Sequence, residues 1–214
     1  MDGSKNIVVN GGAEDGPGGS TVPVNSVKGW QIAEGAPALL TYGADSGYPT
    51  HEDPGPPRRG SRFFGGGNSP RTTLFQDITL PRTGRTGRGP VDAGKVRYEV
   101  AAHLGGYAGQ EDGARLSVEF RDGAGTPLAL SVLGPVTAAE RNARTGLVPR
   151  TAEAAVPPGS RSARVLLVLT RSGGGTSNDG YADAVSLTLH HTKGRPSWAG
   201  SPGKTGDKPT GGQA

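Results

Sequence analysis

Apolar and polar residues alternate with a period of two through most of the chain. Val96, Tyr98, Val100, Ala102 and Leu104 alternate with Arg97, Glu99, Ala101 and His103. After a glycine-rich turn, Leu116, Val118 and Phe120 alternate with Arg115, Ser117, Glu119 and Arg121. This period marks strands with one buried face. Further strands are predicted over 72–80, 128–133 and 151–156, the last ended by Pro157-Pro158-Gly159. Val165–Leu169 is apolar on both faces, as a central strand is. Shorter runs at Ile7–Val9, Gly29–Ile32, Leu39–Tyr42 and Ser61–Gly67 add edge elements. In the last of these, Phe63 and Phe64 point to opposite faces, so one is core and the other needs cover. About ten short strands with turns between them and little helix predict an all-β, antiparallel two-sheet β-sandwich.

The final strand, Tyr181–His190, poses a chemical question. Val185, Leu187 and Leu189 share one face, and extending the alternation backwards puts Asp183 on that face too. A buried carboxylate needs a partner. Glu14, just after the Ile7–Val9 run, meets it if the first and last strands are neighbours. Two such acids need a proton or a cation between them. An all-oxygen set of Asn10, Glu14 and Asp183 with loop carbonyls suits calcium; the alternative is a protonated or backbone-bonded pair without metal.

Composition narrows the function classes. Of 214 residues, 38 are glycine and 18 proline, which favours turns over long helices. No cysteine is present, which excludes disulfides and thiolate chemistry. No apolar stretch reaches the ~20 residues of a membrane-spanning helix. Met1–Asn6 lacks the basic and apolar blocks of a signal peptide. The net charge of +4 is spread as arginine over loops and not gathered into a stripe, which argues against nucleic acid. Elbow and metalloprotease motifs are missing. The acidic neighbours Glu52–Asp53 and Glu111–Asp112 have no evident counterpart across a cleft, so a non-catalytic domain is expected. Trp30 reads as a core anchor.

Asn6, Asn10, Gly11 and Glu14, followed by Gly29-Trp30 and closed by Tyr181, Asp183, Val185, Ser186 and Leu187, resemble the motifs of galactose-binding-like jelly rolls. These include carbohydrate-binding modules attached to bacterial cellulases and xylanases. The resemblance covers roughly residues 5–191. It implies a jelly roll, a structural calcium site, an extracellular setting and a concave face for glycan. Ala184 stands where such domains often carry a second acid or amide.

Residues 1–4 are expected to be a disordered N-terminus, 5–192 the sandwich, and 193–214 a flexible tail or linker. The expected activity is glycan or polysaccharide binding by a monomeric, non-catalytic domain, with Tyr42, Tyr48, Gln76, Arg97, His103 and Tyr107 as ligand candidates. Gln76 either lines a groove or bonds backbone in the core. Residues 43–60 form a polar loop that is either functional or a solvated excursion. The alternative function is a structural or adhesive domain whose basic loops, Arg58-Arg59 and Arg82–Arg88, contact proteins. A glycan site requires at least two exposed aromatics converging on one face or loop end; an adhesive domain does not.

Overall fold

The computed structural model describes residues 5–16, 23–44, 47–80 and 89–191. The two termini at 1–4 and 193–214 and the arginines of 82–88 lie outside the described residues. Ten strands form: β1 (Gln31–Glu34), β2 (Ala38–Thr41), β3 (Arg62–Gly65), β4 (Arg71–Thr79), β5 (Val96–Gly106), β6 (Gly113–Arg121), β7 (Pro127–Leu133), β8 (Gly146–Ala155), β9 (Ser162–Thr170) and β10 (Gly180–His191). They build two five-stranded sheets, ordered β1-β4-β9-β6-β7 and β2-β3-β10-β5-β8. Every pairing is antiparallel. The result is the jelly-roll β-sandwich that the alternation predicts.

Between the sheets lies an apolar layer that includes Val100, Leu104, Leu116, Val118, Phe120, Val165, Leu167, Leu169 and Leu187, all essentially without exposure. Trp30 anchors one end of it, its ring 5.4 Å edge-on from Phe64. β9 is central, as its double apolarity predicts. β8 starts five residues earlier than the alternation suggests and runs through Pro149, which an edge strand tolerates.

Two expectations are corrected. Ile7–Val9 is not a strand: the segment touches the sheet through a single bridge, Asn6 with Thr188. Beyond two backbone bonds, from the Ile7 N–H to Leu187 O (2.9 Å) and from the Val185 N–H to Gly11 O (2.8 Å), side chains do the pairing. Asn6 Oδ1 accepts from the Leu187 N–H, and its amide donates to Val185 O. Gly11 is required here, because a Cβ would sit 2.0 Å from Val185 O. Asp183, in turn, is not on the core face. Asp183 pairs His103 and Ser186 pairs Ala101, so Ala184 and Val185 together oppose Ala102. This β-bulge, with Ala184 at a φ of 51°, reverses the phase of the strand. C-terminal to it, Val185 and Leu187 face the core; N-terminal to it, Ala182 does, and Tyr181 and Asp183 face outward. A strict period of two cannot register a bulge.

Candidate functional site

The outward face of β2-β3-β10-β5-β8 carries a second buried cluster. Alternate residues of the strands supply Ala38, Leu40, Phe63, Leu147 and Tyr181; Tyr42 joins from the end of β2. Phe64 faces the interior and Phe63 this cluster, whose cover is the polar loop after β2. The loop is built, not loose. Arg59 donates to the carbonyls of Thr50 (2.9 Å), Asp53 (2.9 Å) and Pro56 (3.0 Å) and stands 5.2 Å over the Tyr42 ring. Asp53 accepts from the Thr50 amide and hydroxyl. The Leu147 N–H donates to Pro54 O at 2.8 Å, fastening the loop across β8.

Asp183 lies under this loop, 2% exposed. Its Oδ2 accepts from the Tyr42 hydroxyl at 2.7 Å, and its Oδ1 from the Ala184 N–H at 2.5 Å. Burial pushes its pKa up to about 6; the two hydrogen bonds and Arg59 pull it back, while Glu14 raises it further. Burial and the neighbouring carboxylate push the Tyr42 phenol far above its ordinary value. Glu14 approaches Asp183 from the N-terminal segment: a Cβ on Gly12 would stand 3.6 Å from Asp183 Oδ1 and 3.8 Å from Glu14 Cγ. It is itself seated by the Arg62 N–H at 2.8 Å, over Gly60, where a Cβ would stand 2.1 Å from its Oε1. Across the strand, burial and Arg59 lower the pKa of His103, keeping its imidazole neutral near pH 7.

The donor set answers part of calcium's requirements. Two carboxylates converge, but no group of three or more His, Asp or Glu forms among the described residues. Asn10, the third expected ligand, uses its side chain in its own turn: Oδ1 accepts from Asp15 N–H and the amide donates to Asp15 O and Lys28 O. Calcium takes six to eight oxygens, so the remainder would come from backbone carbonyls and water.

The expected ligand residues divide. Tyr48 and Tyr107 come together at one end of this face. Both are half-buried against the cluster, with Tyr48 6.4 Å from Phe63 and from Tyr181, and a Cβ on Gly47 would lie 3.8 Å from Tyr107 Cε2. His103 is half-buried on the same face. Arg97 is six residues away on β5, roughly 20 Å along the strand, paired with Glu153 at 2.8 Å. Two expectations fail. Tyr42 is 6% exposed and its hydroxyl is spent on Asp183, so it offers no ring to a ligand. Gln76 is on the other sheet, where its amide brackets the Val9 backbone, accepting from N–H (3.1 Å) and donating to O (2.7 Å). It replaces the strand pairing that Ile7–Val9 does not make.

Arg141 escaped sequence reading. It is 4% exposed, and its guanidinium donates to the carbonyls of Gly106, Ala108, Gln110 and Arg144, knotting the β5–β6 connection beneath Tyr107. The one local signal is the capping pair Thr137 and Glu140 that starts its turn. Beside it, a cleft of about 190 Å³ opens between Pro54, Thr145 and Val148. The acidic neighbours serve as struts: Glu111 accepts from Ala138 N–H, and Asp112 from Ser172 and Asp179 N–H.

No protein-family model and no curated protein matches the chain. Solved structures do. The enzymatically active domain of tailspike protein 4 from bacteriophage CBA120 superposes over 86% of this chain and 21% of its own, with 14% identity and a TM-score of 0.50. A family 16 carbohydrate-binding module matches 86% of this chain and 99% of its own at 18% identity and a TM-score of 0.48. The C-terminal family 22 carbohydrate-binding module of Clostridium thermocellum Xyn10B matches 79% and 91% at 15% identity and a TM-score of 0.40. At these identities the likeness is one of fold: the chain is a jelly-roll β-sandwich.

Proposed function

We propose that the domain is a non-catalytic carbohydrate-binding module that takes a glycan chain on the outward face of β2-β3-β10-β5-β8. The observation that carries this reading is the convergence of Tyr48 and Tyr107 at one end of that face. Sugar rings need apolar faces to lie on and planar polar groups to orient them. The two tyrosines supply the first; His103, and Arg97 with Glu153 farther along, supply the second. The superposing structures support the ligand class, since carbohydrate-binding modules and a xylan-binding domain are among them. Asp53, Glu111 and Asp112 are engaged in holding backbone, which supports a binding role over hydrolysis.

The finer reading includes a structural calcium ion between Glu14 and Asp183. A cation there would relieve the burial cost of Asp183 and tie the chain's two ends together, stabilising the fold by linkage. The adhesive alternative loses Arg59, which is committed inside the loop.

Affinity electrophoresis through gels containing xylan, mixed-linkage β-glucan or hydroxyethyl cellulose tests the proposal. At least one polysaccharide should retard the wild type, and Tyr107→Ala and Tyr48→Ala should each release it by about tenfold in affinity. Wild-type mobility unchanged across the panel would count against glycan binding. Retardation that survives both substitutions would place the site elsewhere.

A further inference from the structure

The sandwich has four sheet edges, and three of them are guarded. An edge strand presents unpaired backbone groups and invites pairing with another chain, so proteins shorten, bulge or charge their edges. β1 is four residues long, breaks register between Ile32 and Glu34, and carries Glu34. β2 is four residues long. β8 contains Pro149, which lacks a donor, and the charged Arg150 and Glu153. β7 carries such devices only at its first two residues, Pro127 and a register shift against β6 at Leu128. It spans seven residues, Pro-Leu-Ala-Leu-Ser-Val-Leu, without a charge, and keeps regular register with β6 from Leu116–Leu133 to Phe120–Ala129. Leu128, Leu130 and Val132 are 41%, 60% and 45% exposed on its outer face. Among the described residues, no backbone hydrogen bond outside the sheet reaches 127–133.

We infer that β7 is a self-association edge, pairing antiparallel with β7 of a second copy of this chain about a two-fold axis at Leu130. The strand matches itself. Around Leu130 the sequence reads Leu-Ala-Leu-Ser-Val, so Leu130 faces its mate, Leu128 faces Val132, and Ala129 faces Ser131. Each apolar side chain meets another, each small one a small one, and no charge opposes a charge. This self-complementarity is what an isologous interface needs. The joined sheet also extends one cross-strand row, in which Val132 lies beside the small Ser117, then Leu166 and Phe75. A seven-residue strand is a small footprint, so the dimer is concentration-dependent. It replaces the monomer expected from the sequence, and it leaves the opposite sheet, where the glycan face lies, open.

Sedimentation velocity from about 1 to about 500 µM should show a monomer–dimer equilibrium, weakened at least about tenfold by Leu130→Lys, which sets two ammonium groups face to face. The chain has no cysteine, so a single Leu130→Cys should form an oxidised dimer far faster than Ala139→Cys on an exposed turn. A monomer at every concentration would overturn the inference. So would a dimer that Leu130→Lys leaves intact, or equal crosslinking of the two cysteine variants. The crosslinking comparison stands if Leu130→Lys does not fold.

Discussion

The molecule buries side chains in two places, and the two are made differently. The layer between the sheets is aliphatic and aromatic, and its strands contribute every second residue. The cluster under the loop is built from the other set of residues on the same strands: Leu40 and not Leu39, Phe63 and not Phe64, Tyr181 and not Ala182. It takes in an acid, a neutral histidine and tyrosine hydroxyls, each held by a hydrogen bond or displaced from its ordinary pKa. The interior holds the fold together. The cluster spends stability on chemistry that the fold does not require, which marks it as the place where function is built.

The largest expected difference lies in packing. Leu167→Ala in the interior should cost about 3 kcal/mol in chemical denaturation and leave any glycan affinity of the surviving folded protein unchanged. A loss of affinity matching the loss of stability would blur the distinction between the two regions.

Asp183 provides the next test. Its folded pKa of about 6 lies above the ordinary value of 3.8, so the folded state holds the proton more tightly. Without a cation, wild-type stability should therefore rise as pH falls through 6 toward 3.8, and at pH 7 ionised Asp183 should cost on the order of 3 kcal/mol. His103 acts oppositely, because its lowered pKa makes folding less favourable once acid protonates the unfolded histidine. Comparing wild type with Asp183→Asn cancels the histidine. In chelator at pH 7 the Asn variant should be the more stable of the two. Calcium should raise the wild-type melting midpoint and not that of the variant. A wild type indifferent to calcium and to pH between 4 and 7, relative to Asp183→Asn, would remove both the cation and the strained acid.

Tyr107→Ala should separate binding from folding. Half-buried at the rim, it should cost about 1 kcal/mol of stability or less and about tenfold in affinity. The smallest effect is expected at the bulge. Ala184 is exposed at a φ of 51°, so Ala184→Gly should relieve backbone strain and gain roughly 0.5–1 kcal/mol in thermal stability. Destabilisation there would mean that the bulge is not strained.

The sandwich was legible because alternation is a local signal: β5 follows it residue by residue up to Leu104, and the double apolarity of β9 marks the middle of a sheet. The site was legible only in part. Glu14 lies near enough to Asp183 to raise its pKa, yet Asp183 is off the core face, because one extra residue at Ala184–Val185 inverts the pattern without altering its composition. Gln76 and Asn6 look like polar interruptions, and both turn out to mimic missing backbone partners for the N-terminal segment. Arg59 reads as a loop charge in sequence, and nothing there marks Arg141 as a clamp on backbone; their carbonyl partners are contributed by loops whose geometry only the assembled fold defines.

The central claim is that a glycan binds the tyrosine end of the face above Asp183. The most direct test is amide NMR of the labelled domain titrated with oligosaccharides of whichever polysaccharide retards it. The account predicts shifts concentrated at Gly47, Tyr48, His103 and Tyr107. Shifts confined to the outward face of β1-β4-β9-β6-β7 would contradict it.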